Sequence, residues 1–401
     1  MKLKEKQSLK IGHLISNYFP SVGGAQACVH YIADRSILKG HETVVITPAH
    51  NGINDKFFKY KIIRLNPLLN RLLFINFSLG RIYLENILTW LQEKYDFDIW
   101  QVTVGYPLGV ASVDFFNRKR IPSVLRCAGE DIQILPEVGY GYRLNRRVDT
   151  IVRDNYKKFT ALIAAGDGTK KDYLSLGVHE EKVFIISNGV DCAKFDIDVD
   201  KRKVRSSLGV NENQKLIITV GRNHPKKGFE YIPKMIKHLL KKGAEFRWLL
   251  VGKGCEKIKL LADRENLSKY LIVKEVKSDG EGPEIPNKKL IEYYKASDIF
   301  VFPTLIELFA KVLIEAMAAG LPIVTTSVPG VDDIIRNNEN GLKCRVGDIT
   351  DMAESIIRLF SDNLLAKRLS ENATQDAKNY DWDNVVDKYF ALYRRLLNMA
   401  E

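Results

Sequence analysis

Long apolar runs are missing: nothing in the 401 residues approaches the ~20 consecutive apolar positions that span a bilayer, so no transmembrane helix is expected. The opening Met-Lys-Leu-Lys-Glu-Lys-Gln-Ser carries charge with no apolar stretch behind it, so no secretory leader is expected either. Cysteine is sparse. Cys28, Cys127, Cys192, Cys255 and Cys344 lie far apart, with no CxxC pair and no zinc spacing, and read as reduced thiols of a cytosolic protein. No Walker GxxxxGK[ST] occurs. Gly252-x-Gly254 resembles part of a dinucleotide fingerprint, but Lys257 stands where the third glycine belongs, which disfavours a nicotinamide dehydrogenase. No basic stretch interleaved with aromatics and no nucleic-acid module is visible, so no nucleic-acid partner is expected.

What is there suits a soluble two-domain protein: 45% hydrophobic and 27% charged residues in a length that exceeds one core. The net charge of +12 is unusual. Its basic clusters, Arg118-Lys119-Arg120, Arg143 to Arg147, Lys157-Lys158 and Lys170-Lys171, fall in the first half. Singly they read as solvated helix faces; summed, they suit weak attachment to an anionic cytoplasmic leaflet. Strands expected at Lys10–Ile15, Glu42–Thr47, Lys61–Leu65, Phe97–Val104, Pro122–Cys127, Ala161–Ala165 and Val183–Ile186 alternate with helices, the pattern of a doubly wound parallel sheet. The alternation resumes at Lys215 after a polar stretch. The expected division is therefore a first domain over 1–191, a linker over 192–214 and a second domain over 215–383. His13, in the first strand, is expected to be a satisfied core residue.

The chemistry concentrates between Pro303 and Glu315. The apolar run Asp298 to Phe302 reads as a buried parallel strand, and Val312 to Met317 as a helix. Ligands of open α/β sheets bind at such strand-to-helix junctions. The amides of Leu308, Phe309 and Ala310 are expected to be free at the helix start, able to receive ligand oxygens. Glu315, two turns on, needs a second part of the ligand, and its carboxylate suits ribose hydroxyls. One anionic end and one hydroxyl-rich end describe a sugar nucleotide. Arg222 and Lys227, in the loop after the strand Lys215–Val220, can neutralise a diphosphate as it departs. Gly23-Gly24 lets backbone amides approach a phosphate after the first strand.

Pro303-Thr-x-x-Glu307-x-Phe309, followed by Glu315-Ala-Met-Ala-x-Gly320-x-Pro322, resembles the signature of retaining group 1 glycosyltransferases, family GT4. Gly221-Arg222 and Lys227-Gly228 match that family's Gly-Arg…Lys-Gly pattern. The resemblance implies an α/β GT-B fold, two doubly wound Rossmann-like domains facing each other across a cleft, with a C-terminal helix, 384–401, returning to the first domain. It implies a metal-independent hexosyltransferase moving sugar from a nucleotide-diphosphate donor, with no cofactor. Arg222, Lys227 and Glu307 would be catalytic, while Gly23, Gly24, Leu308, Phe309, Ala310 and Glu315 would hold the donor. Glu130 and Asp131 would lie on the acceptor or donor-sugar side. Asp196-Ile-Asp198 is not placed to chelate a cation between phosphates. A glycan or lipid-linked acceptor, in polysaccharide or lipopolysaccharide synthesis at the inner leaflet, completes the expectation.

The match has three departures. Glu307-Leu308-Phe309-Ala310 replaces Glu-Gly-Phe-Gly; Ala128-Gly129-Glu130-Asp131 replaces His-Gly-x-Asp; Pro329-Gly330-Val331-Asp332-Asp333 replaces Gly-Gly-x-x-Glu. The loss of the histidine leaves open a sugar-nucleotide epimerase of the same architecture, or a non-catalytic sugar-nucleotide-binding protein. The base of the donor is unreadable, because Val273 to Asn287, which should border it, is irregular.

Overall fold

The computed structural model describes residues 8–20, 23–48, 55–276 and 283–400. Two compact units emerge. One gathers the chain to Asn188 with the closing segment from Trp382; the other comprises Gly189–Gly280 and Glu284–Asp381. Part of the loop expected to border the base, 277–282, lies outside the described residues.

The first unit is a seven-stranded parallel sheet of β1 (Lys10–Ile15), β2 (Glu42–Pro48), β3 (Lys61–Leu65), β4 (Ile99–Thr103), β5 (Ser123–Arg126), β6 (Ala161–Ala164) and β7 (Val183–Ile185), in the order β3-β2-β1-β4-β5-β6-β7. The central strands β4, β5 and β6 are buried at every residue, as a parallel sheet covered on both faces requires. The order reverses beside β1, which opens a crevice between the carboxyl ends of β1 and β4.

The second unit repeats the design with six parallel strands: β8 (Lys215–Val220), β9 (Phe246–Val251), β10 (Leu271–Lys274), β11 (Ile299–Phe302), β12 (Ile323–Thr326) and β13 (Leu342–Cys344). Their order is β10-β9-β8-β11-β12-β13, so the switch point falls between β8 and β11.

The stretch expected as a linker is folded instead. Phe195 is buried with its ring 6.2 Å from Tyr294, and the helix Lys201–Ser207 is capped by Asp200. Arg205 donates to the Ala296 carbonyl at 2.9 Å and pairs with Asp298. Its apolar anchors, Phe195, Val204, Leu208 and Val210, are spaced among charges, which gives the segment a polar composition without making it free. The closing helix, Trp382–Ala400, packs on the first unit: Trp382 stacks on Tyr31 at 4.9 Å, and Lys39 pairs with Asp387 at 2.7 Å. Among the described residues no helix is long and apolar enough to cross a membrane.

His13 departs from expectation. It is fully buried on β1 beside Gln101 of β4, but neither ring nitrogen has a hydrogen-bond partner among the described residues. Burial lowers its pKa to about 3 and keeps the ring neutral.

Candidate functional site

The exits of β8, β9 and β11 are joined at the switch point of the second unit. The Lys226 carbonyl accepts from the Leu305 amide at 2.7 Å and lies 3.1 Å from the Thr304 hydroxyl oxygen. Gly228, at φ +64, lies so close to the β11 exit that a Cβ there would stand 2.1 Å from the Pro303 oxygen. Gly252, at φ +152, is held equally tightly, since its Cβ would stand 1.9 Å from the Gly221 oxygen. The glycine that looked like half a dinucleotide fingerprint thus serves close approach of two loops.

This junction aims Lys227 at Glu307. The ammonium forms an ion pair with Glu307 Oε1 and lies 4.9 Å from the centre of the Phe302 ring. Thr304 donates to the same carboxylate oxygen at 3.1 Å. Burial on its own would raise the Glu307 carboxyl; the pull of Lys227, Lys226 and Thr304 outweighs it and holds the group below its ordinary value. Glu307 is therefore an ionised, oriented carboxylate, unsuited to donating a proton at neutral pH. Arg222, on the same loop as Lys227, is exposed, with no ion pair or hydrogen bond to its guanidinium among the described residues.

The helix after β11, expected over Val312–Met317, runs from Lys311 to Ala318 with Ala310 as its N-cap. Leu308, Phe309 and Ala310 therefore form the approach to the helix and are buried. This corrects the expectation that their amides open the helix. Phe309 sits edge-on to Tyr380 at 5.9 Å. Gly330 backs the approach, because a Cβ there would stand 2.4 Å from the Glu307 oxygen and 2.6 Å from Leu308 C. Further along, Glu315 is buried with both oxygens engaged: Oε1 pairs with Lys311 at 3.1 Å, and Oε2 accepts from the Tyr294 hydroxyl at 3.1 Å. Sequence reasoning missed Lys311, Thr304 and Tyr294. Lys311 was within reach as the i−4 neighbour of an acid, whereas Tyr294 becomes a partner only through tertiary packing.

In the first unit, Gly23 is the extended N-cap (φ −155, ψ −175) of the helix Gly24–Leu38, which leads from the β1 exit. A Cβ at Gly24 would meet no atom of the described residues within 4 Å. Asp131 turns away from such a role. It is buried, with Oδ2 accepting from the Gly105 amide at 2.7 Å and Oδ1 from those of Ala128 and Gly129 at 2.9 Å. Burial raises its pKa, against the lowering effect of those amides. It ties the β4 and β5 exits together. Glu130, half-buried, points to the Tyr142 hydroxyl, whose pKa is pushed up to about 12 by burial and by that carboxylate.

The chain resembles known proteins over its whole length. The group 1 glycosyl transferase model matches residues 200–376, and the glycosyltransferase family 4 model matches residues 22–194. An uncharacterized glycosyltransferase of Methanocaldococcus jannaschii is 31% identical over 98% of this chain and 99% of its own length. Among solved structures, a glycosyltransferase of Rickettsia africae superposes with a TM-score of 0.79 at 19% identity, over 97% of this chain and 99% of that one. Anabaena HepE, solved in complex with UDP, gives 0.77 at 19% identity, over 96% and 99%. These likenesses establish the GT-B fold.

Proposed function

The chain belongs to the group 1 glycosyltransferases, and from that premise we propose that it moves a hexose from a nucleoside-diphosphate donor to a glycan or lipid-linked acceptor, with retention of configuration. The observation that carries the reading is the Lys227–Glu307 pair, set at the β8/β11 switch point with Arg222 uncommitted beside it. As the glycosyl bond breaks, charge grows on the leaving diphosphate. Lys227 and Arg222 meet that charge without a bound metal ion. Glu307, kept ionised, orients a donor-sugar hydroxyl and stabilises positive charge on the ring. Glu315 takes the ribose hydroxyls by exchanging its Lys311 contact. The departing phosphate oxygen then helps to deprotonate the acceptor hydroxyl on the same face of the sugar. Cell-surface polysaccharide or lipopolysaccharide synthesis is the setting this chemistry and the basic first half suit.

The experiment is a thermal-stability panel of UDP-, GDP- and ADP-sugars, followed by product analysis with the stabilising donor. Stabilisation by one nucleotide class and an α-linked product from an α-donor are expected. Donor isomerised without acceptor would favour an epimerase; binding without turnover would favour a non-catalytic protein.

A further inference from the structure

The Gly252-Lys253-Gly254 turn at the β9 exit has no part in the donor contacts described above. Past Val220 and Val251, the last paired residues of β8 and β9, the two chains keep running side by side. The Gly221 amide donates to the Val251 carbonyl at 2.9 Å, and the Asn223 amide to the Lys253 carbonyl at 2.9 Å. The Asn223 side-chain amide adds a bond to the Gly254 carbonyl at 3.1 Å. Only glycine permits this approach. Gly221 and Gly252 stand at φ +155 and +152, and a Cβ on Gly252 would lie 1.9 Å from the Gly221 oxygen.

The register of Val220 opposite Val251 carries on to set Arg222 opposite Lys253, on backbones about 5 Å apart. Both side chains are exposed, and neither has an acidic partner among the described residues. Like charges facing each other on neighbouring strands repel. The glycine contact therefore holds an unfavourable pair together until an anion bridges it. Two acids come near the turn. Burial raises the Cys255 thiol to about 12, and Glu256 and Glu275 add to that rise. Glu256 opens the helix Glu256–Arg264, whose positive end it complements. Among the described residues no ion pair joins Glu256 or Glu275 to Arg222 or Lys253.

The sheet order says which anion. β9 lies on the far side of β8 from β11, so Lys253 flanks Arg222 on the side away from Glu307. On the donor reading, the sugar lies against Glu307 and the diphosphate against Lys227 and Arg222. The next charge outward is the phosphate joined to the nucleoside. We propose that Lys253 binds this nucleoside-side phosphate and, with Arg222, clamps the diphosphate from the β9 edge. The assignment rests on the donor reading and makes Lys253 a binding residue, not a catalytic one. It grips a group whose charge stays the same while the glycosyl bond breaks, so ground state and transition state are held equally.

Calorimetry of wild type and Lys253→Gln with the mono- and diphosphates of uridine, guanosine and adenosine tests this. For the base that binds, Lys253→Gln weakens monophosphate and diphosphate by the same factor, about three- to tenfold, and the loss shrinks as salt rises. With a donor of that base, KM rises by a similar factor while kcat holds. Free Lys253→Gln unfolds at the wild-type temperature or above it, because a repulsion is gone. Lys257→Gln, at an exposed position in the next helix, changes affinity by less than about twofold. Unchanged affinity in Lys253→Gln overturns the proposal. So does a loss confined to the diphosphate, which would move the lysine to the sugar-side phosphate, or an equal loss in Lys257→Gln, which would reduce the effect to general charge. A wild type that binds none of these nucleotides removes the donor reading itself; the proposal alone falls when wild type and Lys253→Gln bind equally well.

Discussion

Lys311 and Glu315 form an ion pair at 3.1 Å, one helical turn apart and both largely buried. The carboxylate proposed to receive ribose is thus already neutralised, with Tyr294 holding its other oxygen. Removing one member of such a pair strands the other. Lys311→Met is expected to cost about 3 kcal/mol in denaturant unfolding. If Glu315 serves ribose, Glu315→Gln weakens binding of a nucleoside diphosphate several-fold but leaves inorganic pyrophosphate unaffected. Titration calorimetry with both ligands checks this, and equal losses for the two would remove Glu315 from the ribose site.

The Lys227–Glu307 pair predicts an acid-sensitive component of stability. Glu307 has its folded-state pKa depressed, so its contribution is fully present above the ordinary glutamate value, about 4.3, and is lost as pH falls through the lower folded value. Chemical unfolding from pH 7 down to about 3 should show wild-type stability falling more steeply than that of Glu307→Gln. Lys227→Met, which removes the ion-pair partner of a buried carboxylate, should cost about 3–5 kcal/mol at neutral pH and reduce turnover by at least about 100-fold.

Glycines separate into those that admit a side chain and those that do not. Gly228→Ala meets the Pro303 oxygen, and Gly330→Ala meets the backbone of Glu307 and Leu308. Each should cost about 2–4 kcal/mol and disturb the Lys227–Glu307 geometry. Gly24→Ala meets no described residue and has a helical position, so stability should hold or rise by up to about 1 kcal/mol. A donor KM raised in Gly24→Ala without loss of stability would support phosphate approach at that helix start. Thermal unfolding and donor kinetics on the three variants distinguish these outcomes.

Asp131 and Glu130, adjacent in sequence, should behave differently. Asp131→Asn turns an amide donor toward one of the backbone donors that the carboxylate now accepts, at a cost of about 1–3 kcal/mol. Glu130→Gln, half-buried beside Tyr142, should leave stability within about 0.5 kcal/mol. Unfolding curves of the two variants check the assignment of a structural role to Asp131 alone.

Much of the fold could be read beforehand because parallel strands buried on both faces are continuous apolar runs, as in Ile299-Phe-Val-Phe302. Arg222, Lys227, Glu307 and Glu315 were legible because their motif ties them to strand exits. What stayed hidden depends on partners distant in sequence. Phe195 and Val204 bury themselves from within a charged stretch, and Tyr294 reaches Glu315 from a separate helix. His13 lacks the hydrogen bonds expected of a buried histidine, and Asp131 is turned inward by three amides that no local pattern announces.

The most direct test of the account is the affinity of the stabilising nucleoside diphosphate for wild-type protein and for Arg222→Ala. Arg222 is exposed and has no side-chain partner among the described residues, so its removal should leave unfolding unchanged. The account predicts binding weaker by roughly tenfold or more, the loss expected for a charge-assisted contact to phosphate. Undiminished affinity and turnover in a fully folded Arg222→Ala protein would contradict it.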